Sequence, residues 1–207
     1  MIQHDVKITF IIPTIGRDTL QNTIDCLLNQ TDSKWKAIII FDGILPTITN
    51  DDERIKIVTC PKVGISNSAG EVRNYGINLA ETEWVAFVDD DDSLKKTYVE
   101  IFLDEIKHFY NTDLIIFRMV CPDNITLLPP VDADNFHFCQ VGISFAIKKK
   151  IFDSGLIFVP GQFEDFTFLD KVRQQKYKIM ISRYLLYFVR NYNTENETIS
   201  NRVFINY

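Results

Sequence analysis

No apolar run in the 207 residues approaches the ~20 that a membrane span requires, so no transmembrane segment is expected. Positive charge is short as well: 22 Lys and Arg stand against 28 Asp and Glu, a formal net charge of −6. That balance excludes a general attraction to nucleic acid or to an anionic membrane surface. An anionic small molecule would bind only through a local basic group or a metal ion. Cys26, Cys60, Cys121 and Cys139 are scattered, with no CxxC pair and no secretory leader. Reduced thiols and a cytoplasmic location are the expectation, and the Asn-x-Thr triplets at Asn124 and Asn196 carry no weight there. His4, His108 and His137 are single and unclustered, which suits surface positions.

Repeats, low-complexity segments and linkers are also missing. A hydrophobic share of 46% with 24% charged residues is that of an ordinary globular chain. One domain over residues 1–207, with ample core, is the expected organisation.

Strand and helix signals alternate in the first half. "KITFIIPT" (7–14), "WKAIIIFDG" (35–43), "IKIVTC" (55–60) and "EWVAFV" (83–88) are short β-rich runs. Asp18 or Thr19 can cap a helix whose Leu20, Ile24, Leu27 and Leu28 share a face. Ser68 and Glu71 have capping-box spacing for a helix running to about Ala80. Tyr98, Ile101, Phe102, Glu105 and Phe109 trace another helix. This order predicts an α/β fold with a mainly parallel, mixed central sheet flanked by helices. In such sheets ligands bind outside the carboxyl ends of the strands, which puts Thr14, Asp42 and Asp89–Asp91 on one rim. The second half is less regular, with a strand at 113–120, a strand passing into a short helix over 143–152, a loop, helix and strand over "GQFEDFTFLDKVRQQKYKIMIS", and a loop-like "CPDNITLLPPVDADN" (121–135). Strand runs without regular crossovers predict a mixed sheet or an antiparallel addition to it.

Four carboxylates, Asp89, Asp90, Asp91 and Asp92, sit where the fourth strand run ends. Two charges ~5 Å apart repel by roughly 3 kcal/mol at an effective dielectric near 20, so something must offset the cluster. Splayed side chains, a turn or a helix cap would do so, as would a cation. An EF-hand loop fails because Leu94 stands where glycine is needed and a strand run precedes. A phosphatase of haloacid-dehalogenase type, with Asp89 and Asp91 as its Asp-x-Asp pair, fits locally. It expects that motif on the first strand of the domain. A Mg²⁺ or Mn²⁺ ion held between carboxylates and a diphosphate accounts for the run and for the binding of an anion by an acidic chain.

"FIIPTIGRDTLQNTIDCLLNQT", "IIIFDG", "GISNSAGEVRNYGINLAETEWVAFVDDDD" and "GQFEDFTFLDKVRQQKYKI" occur in this order. Together they resemble the inverting family 2 glycosyltransferases of GT-A fold, over roughly residues 7–180. The compact length is also similar to that of minimal glycosyltransferase domains of large DNA viruses. The resemblance implies a nucleotide-sugar-binding half (about 1–95) and an acceptor-binding half (about 96–207). It implies a nucleoside diphosphate sugar as donor, most often UDP-linked, and a glycan or glycoprotein hydroxyl as acceptor. Pro13 and Thr14 would lie against the base, and Asp42 would accept a hydrogen bond from it. Arg73 would approach the base or the diphosphate. Asp89 would contact the ribose or metal-bound water, Asp90 would hold the variable position among the donor-binding residues, and Asp91 would ligate Mn²⁺ or Mg²⁺. Asp92 is expected to cap the next helix. Of the acidic pair Glu164–Asp165, Asp165 is the expected catalytic base. Many members carry a C-terminal histidine that completes the metal shell; Asn193 stands near that place here. A non-catalytic nucleotide-sugar-binding domain remains the alternative beside the phosphatase.

Overall fold

Strand β1, Ile8–Thr14, has all seven residues buried. Both faces of the strand are therefore covered, and no alternation of polar and apolar residues shows along it. In this computed structural model, which describes residues 6–64 and 68–190, β1 pairs in parallel with β2 (Trp35–Asp42) and β4 (Trp84–Phe87), and β2 with β3 (Ile55–Cys60). Register brings Thr14 opposite Phe41 and Asp42 opposite Cys60, so β1, β2 and β3 end nearly level, while Phe87, the last residue of β4, lies opposite Ile11 and the Asp run follows beside the end of β1. The chain runs outward from β1 through β2 and β3, then returns to the other side of β1 as β4. That reversal opens a crevice at the carboxyl ends of β1 and β4.

Helix α1 (Leu20–Leu28) buries Leu20, Ile24 and Leu27 as their spacing predicts. Thr19 holds its N-cap position, but no side-chain capping bond forms. Helix α2 (Gly70–Leu79) packs on β1 and β2. At Gly76 an added Cβ would lie 2.7 Å from both Ile11 and Ile40 side chains, so only glycine permits this approach. The expected Ser68–Glu71 capping box does not form: the N-cap residue is Ala69, without a side-chain bond. A carboxylate from the far half of the chain reaches those amides instead, as described below.

The second half extends the same sheet. Asp92–Leu94 is a short strand, β5, followed by α3 (Tyr98–His108), β6 (Leu114–Val120), β7 (Leu127–Leu128), β8 (Phe145–Lys148), α4 (Lys150–Asp153), α5 (Glu164–Gln174) and β9 (Ile179–Val189). β8 lies antiparallel between β4 and β6, and β9 runs parallel to β6 and antiparallel to β5. The order is β3-β2-β1-β4-β8-β6-β9-β5, with β7 on β6. The parallel half and the antiparallel addition are thus both present. Asp92 does not cap a helix, because its residue opens β5 and α3 starts only at Tyr98. The Asp run also follows the fourth strand, not the first, against the phosphatase pattern. Phe168 stacks at 4.4 Å on Phe158 and at 5.2 Å on Phe152 in the core, whereas Phe166 is only half-buried. Among the described residues no helix is long and apolar enough to cross a membrane, and all four cysteines are free thiols.

Candidate active site

At the carboxyl ends of β1, β2 and β4 an open pocket of about 1000 Å³ is lined by Pro13, Thr14, Asp42, Arg73, Asp89, Asp90, Asp91 and Asp165 together. These are the eight residues that the sequence reading selected, drawn from five separate segments. The strand ends supply Pro13, Thr14, Asp42 and the Asp run, α2 supplies Arg73, and the first turn of α5 supplies Asp165.

Arg73 organises the centre. Its guanidinium is buried and donates to Asp89 Oδ1 at 2.6 Å and to Glu164 Oε1 at 2.5 Å; Asp165 Oδ1 lies 3.5 Å away. Burial alone would lower the Arg73 pKa, but Asp89, Asp165 and Glu164 outweigh it and hold the group charged. Its partners are Asp89, Glu164 and Asp165, not Glu71 on its own helix or Glu81 just beyond that helix, so the guanidinium faces carboxylates. The positive charge exposed to an incoming anion therefore comes from Lys62, Arg17 and Arg190, which also line the pocket. Composition hid these three; Lys62 lies two residues past the end of β3, a position the strand-end rule would have selected.

Glu164 accepts from Ala69 N and Gly70 N at 3.0 Å each, from the Ser68 hydroxyl and from Arg73. One carboxylate on α5 thereby caps α2 and fixes the two helices to each other. An added Cβ at Gly70 would stand 2.7 Å from Glu164 Oε2, so glycine is what admits the carboxylate. Asp165 is placed differently. Its side chain is 27% exposed, and its Oδ1 is buried without a hydrogen-bond partner. Burial, with Asp89 and Glu164 nearby, pushes its pKa up to about 6 against the pull of Arg73.

The four aspartates alternate. Asp90 is buried, accepting from the Thr14 hydroxyl at 2.6 Å and from Arg17 Nη1 at 2.7 Å. Burial raises its pKa despite those partners. It therefore orients Thr14 from within the pocket wall. Asp92 is buried too, accepting from the Tyr187 hydroxyl at 2.6 Å and from Arg190 N at 2.9 Å. Burial and the Asp89 charge push its pKa up to about 7. Asp89 and Asp91 remain partly exposed to the pocket. From beneath, Thr23 on α1 donates to Asp92 O at 2.8 Å and Cys26 Sγ accepts from Leu94 N at 3.3 Å, anchoring the run. The charge cluster is thus offset by partners on several sides, with Arg73 on Asp89, Arg17 between Asp90 and Asp91, and Tyr187 on Asp92.

At the β2 end, Asp42 accepts from Lys62, from Val63 N at 2.8 Å and from Gly64 N at 3.2 Å. Burial would raise its pKa; Lys62 and the two amides outweigh it and lower it. An ionised carboxylate has about four acceptor positions, so little capacity remains for a base N–H. The arrangement presents Asp42 as a fixed anion with Lys62 above it.

Among the described residues no three His, Cys, Asp or Glu side chains converge as a metal cage. Asp91 Oδ2 lies 3.3 Å from Arg17 Nη1 and 3.2 Å from Arg190 Nε. Asp89 and Asp91 together fit a hard divalent cation in the mode where one or two carboxylates share it with phosphate oxygens. Arg17 and Arg190 have side chains 46% and 69% exposed and are able to move aside. His4 and Asn193 lie outside the described residues. His137 is exposed, and His108 lies against Asp104 on α3.

The sequence profile of the family described as Glycosyl transferase family 2 matches residues 9–203. The glycosyltransferase GlyA of Streptococcus pneumoniae is 28% identical over 120 residues, 54% of this chain and 16% of that protein. An uncharacterized glycosyltransferase of Haemophilus influenzae is 24% identical over 183 residues, 81% of this chain and 62% of that protein. The chain spans less than two thirds of either relative. The crystal structure of S. aureus TarS 1-349 superposes with a TM-score of 0.71 at 18% identity, covering 95% of this chain and 64% of that one. Its complex with UDP superposes at 0.67 and 17% identity, covering 88% and 60%. These likenesses establish the GT-A fold.

Proposed function

The chain belongs to glycosyl transferase family 2, and from that premise we propose that it moves a sugar from a nucleoside diphosphate donor to an acceptor hydroxyl, with inversion. Asp165 carries the reading. Its side chain is 27% exposed and lines the pocket that the donor-side residues also line, and unlike Glu164 it is not held by the α2 amides. An acceptor hydroxyl is a poor nucleophile, and a carboxylate that takes its proton during attack on the anomeric carbon supplies what is missing. One displacement, with the diphosphate leaving on the far side, inverts that carbon. Glu164 is the less suitable base because four donors already occupy its carboxylate.

The donor side follows from the opposite wall. Pro13 and Thr14 offer a surface for the base, and Lys62, Arg17 and Arg190 meet the diphosphate charge. UDP is the proposed nucleotide, supported by the TarS structures solved with UDP and with UDP-GlcNAc. Mn²⁺ or Mg²⁺ is the proposed cofactor, with Asp91 and Asp89 to hold it; when bound it neutralises the departing diphosphate. A glycan or glycoprotein is the proposed acceptor.

Two experiments test this reading. Thermal denaturation with UDP, GDP, CDP or ADP, each with and without Mn²⁺, should single out UDP. At 100 times its dissociation constant a ligand stabilises by ~2.7 kcal/mol, a rise of several degrees. Asp91→Ala should remove the part of that rise that needs the metal; no shift with any nucleotide would overturn the donor assignment. Secondly, kcat/KM should climb about tenfold per pH unit below pH about 6 and level off above it. The sign follows from the base role, since only the ionised carboxylate accepts a proton. A profile that inflects near pH 4, or not at all, would take Asp165 out of that role.

A further inference from the structure

Phe163 is the only aromatic side chain lining the pocket among the described residues. It is 49% exposed and sits immediately before Glu164 and Asp165. Its backbone is left-handed, with φ 63° and ψ 33° at the N-cap of α5. A bulky residue is a genuine outlier in that region, where glycine or asparagine would sit without strain. Strain of this kind, held in place at a pocket wall, calls for a reason in the side chain. The ring does not sit alone. Phe138, 53% exposed, meets it edge to face at 4.7 Å, and Phe138 in turn meets Phe166 at 5.3 Å. Phe166 contacts the buried Phe136 at 6.3 Å, and Arg173 lies 5.1 Å from the Phe136 ring. A chain of rings therefore runs from the interior to the pocket rim and leaves its last two members uncovered. Buried helix packing explains Phe136 and the covered part of Phe166, but not two half-exposed phenylalanines beside a carboxylate.

Resting on the transferase reading above, we propose that Phe163 and Phe138 form the acceptor subsite, a platform for the apolar C–H face of a neutral pyranose. The chemistry narrows the ligand. The exposed face of an aromatic ring takes a face of axial C–H groups, as it takes other apolar faces, and the second ring, at 67° to the first, forms a side to it. Asp165 beside it requires a hydroxyl at the edge of that ring. Asp89, Asp91 and Glu164, which line the same pocket, disfavour an anionic acceptor. A purely aliphatic ligand would satisfy the rings and leave Asp165 nothing to deprotonate.

The test is saturation-transfer NMR on the UDP-loaded protein, with the methyl β-glycosides of glucose, galactose, mannose, N-acetylglucosamine and N-acetylgalactosamine as probes and hexanol as an apolar control. Ring C–H protons of at least one glycoside should be saturated. Phe138→Ala and Phe163→Asn, the latter chosen to tolerate the left-handed backbone, should each weaken that binding about tenfold. Saturation of UDP should stay as in wild type for both variants. Unchanged glycoside signals in the variants overturn the platform while leaving the transferase reading intact. So does a wild type that binds UDP but no glycoside, or one that prefers hexanol. Absent UDP signals in wild type would instead overturn the reading on which the platform rests.

Discussion

Asp165→Asn is expected to lower turnover by about 10²–10⁴-fold, the usual contribution of a positioned general base, while the nucleotide-induced thermal shift stays as in wild type. The amide keeps the size of the carboxylate and its place on the pocket wall but cannot take a proton. Nothing else in the pocket is arranged to substitute. Glu164 is bound on both oxygens by the α2 amides, Ser68 and Arg73. Asp89 is bonded to Arg73 at 2.6 Å and belongs to the Asp run at the end of β4, whereas Asp165 comes from α5. Donor binding should survive because the residues assigned to it come from strand ends and not from α5. Steady-state turnover and UDP melting curves on one preparation separate the two effects. If turnover were unchanged with UDP binding intact, Asp165 would have no part in the chemistry.

Arg73→Ala should have the largest effect on stability. It removes the cation shared by Asp89, Glu164 and Asp165 and leaves those carboxylates facing one another. Breaking a buried ion pair from one side costs about 3–5 kcal/mol, which for a chain of this size lowers the melting temperature by roughly 10 °C. The loss should depend on pH in a definite direction. Arg73 opposes the rise in the Asp165 pKa, so without it protonation comes more easily and relieves the repulsion. The gap between variant and wild type should therefore narrow as pH falls from 8 to 5. Melting curves across that range check the point; a gap that stays constant from pH 8 to 5 would mean that Arg73 acts through packing on Phe158, whose ring centroid lies 5.8 Å from the guanidinium.

Strand-end residues were the most legible part of the site. Pro13, the Asp42-Gly43 step and the Asp run each punctuate an apolar run, and a parallel sheet places such ends on one rim. Arg73 and Asp165 came from family resemblance, and the structure supplied what connects them. The capping box shows why local reading stops short. Ser68 and Glu71 have the right spacing, yet the carboxylate at the α2 amides is Glu164, some 95 residues away along the chain. Asp92 went astray for a similar reason. A three-residue strand has almost no pattern of its own, and β5 exists because β9 pairs with it. Tyr187, which bonds Asp92, lies on that partner strand. Partners that far apart leave no trace in a window of a few residues. Of the Phe138–Phe163 pair the sequence shows one side only: the aromatic-rich "FEDFTF" reads as an acceptor-sugar platform or as buried helix packing, and Phe138, from a separate loop, gives no such signal.

The alternation within residues 89–92 makes position, not identity, the carrier of meaning there. Deleting any one of the four aspartates produces the same polypeptide, so the shortened chain must settle which duty goes unfilled. Three residues cannot keep the inward bonds to Thr14 and Tyr187 while also presenting two carboxylates outward. With Asp92 O held by Thr23 and its side chain by Tyr187, the far end of the run is the better anchored, and the vacancy falls on the side facing Thr14. A sequence comparison would score that deletion as nearly silent. To the folded chain it is a frameshift in space.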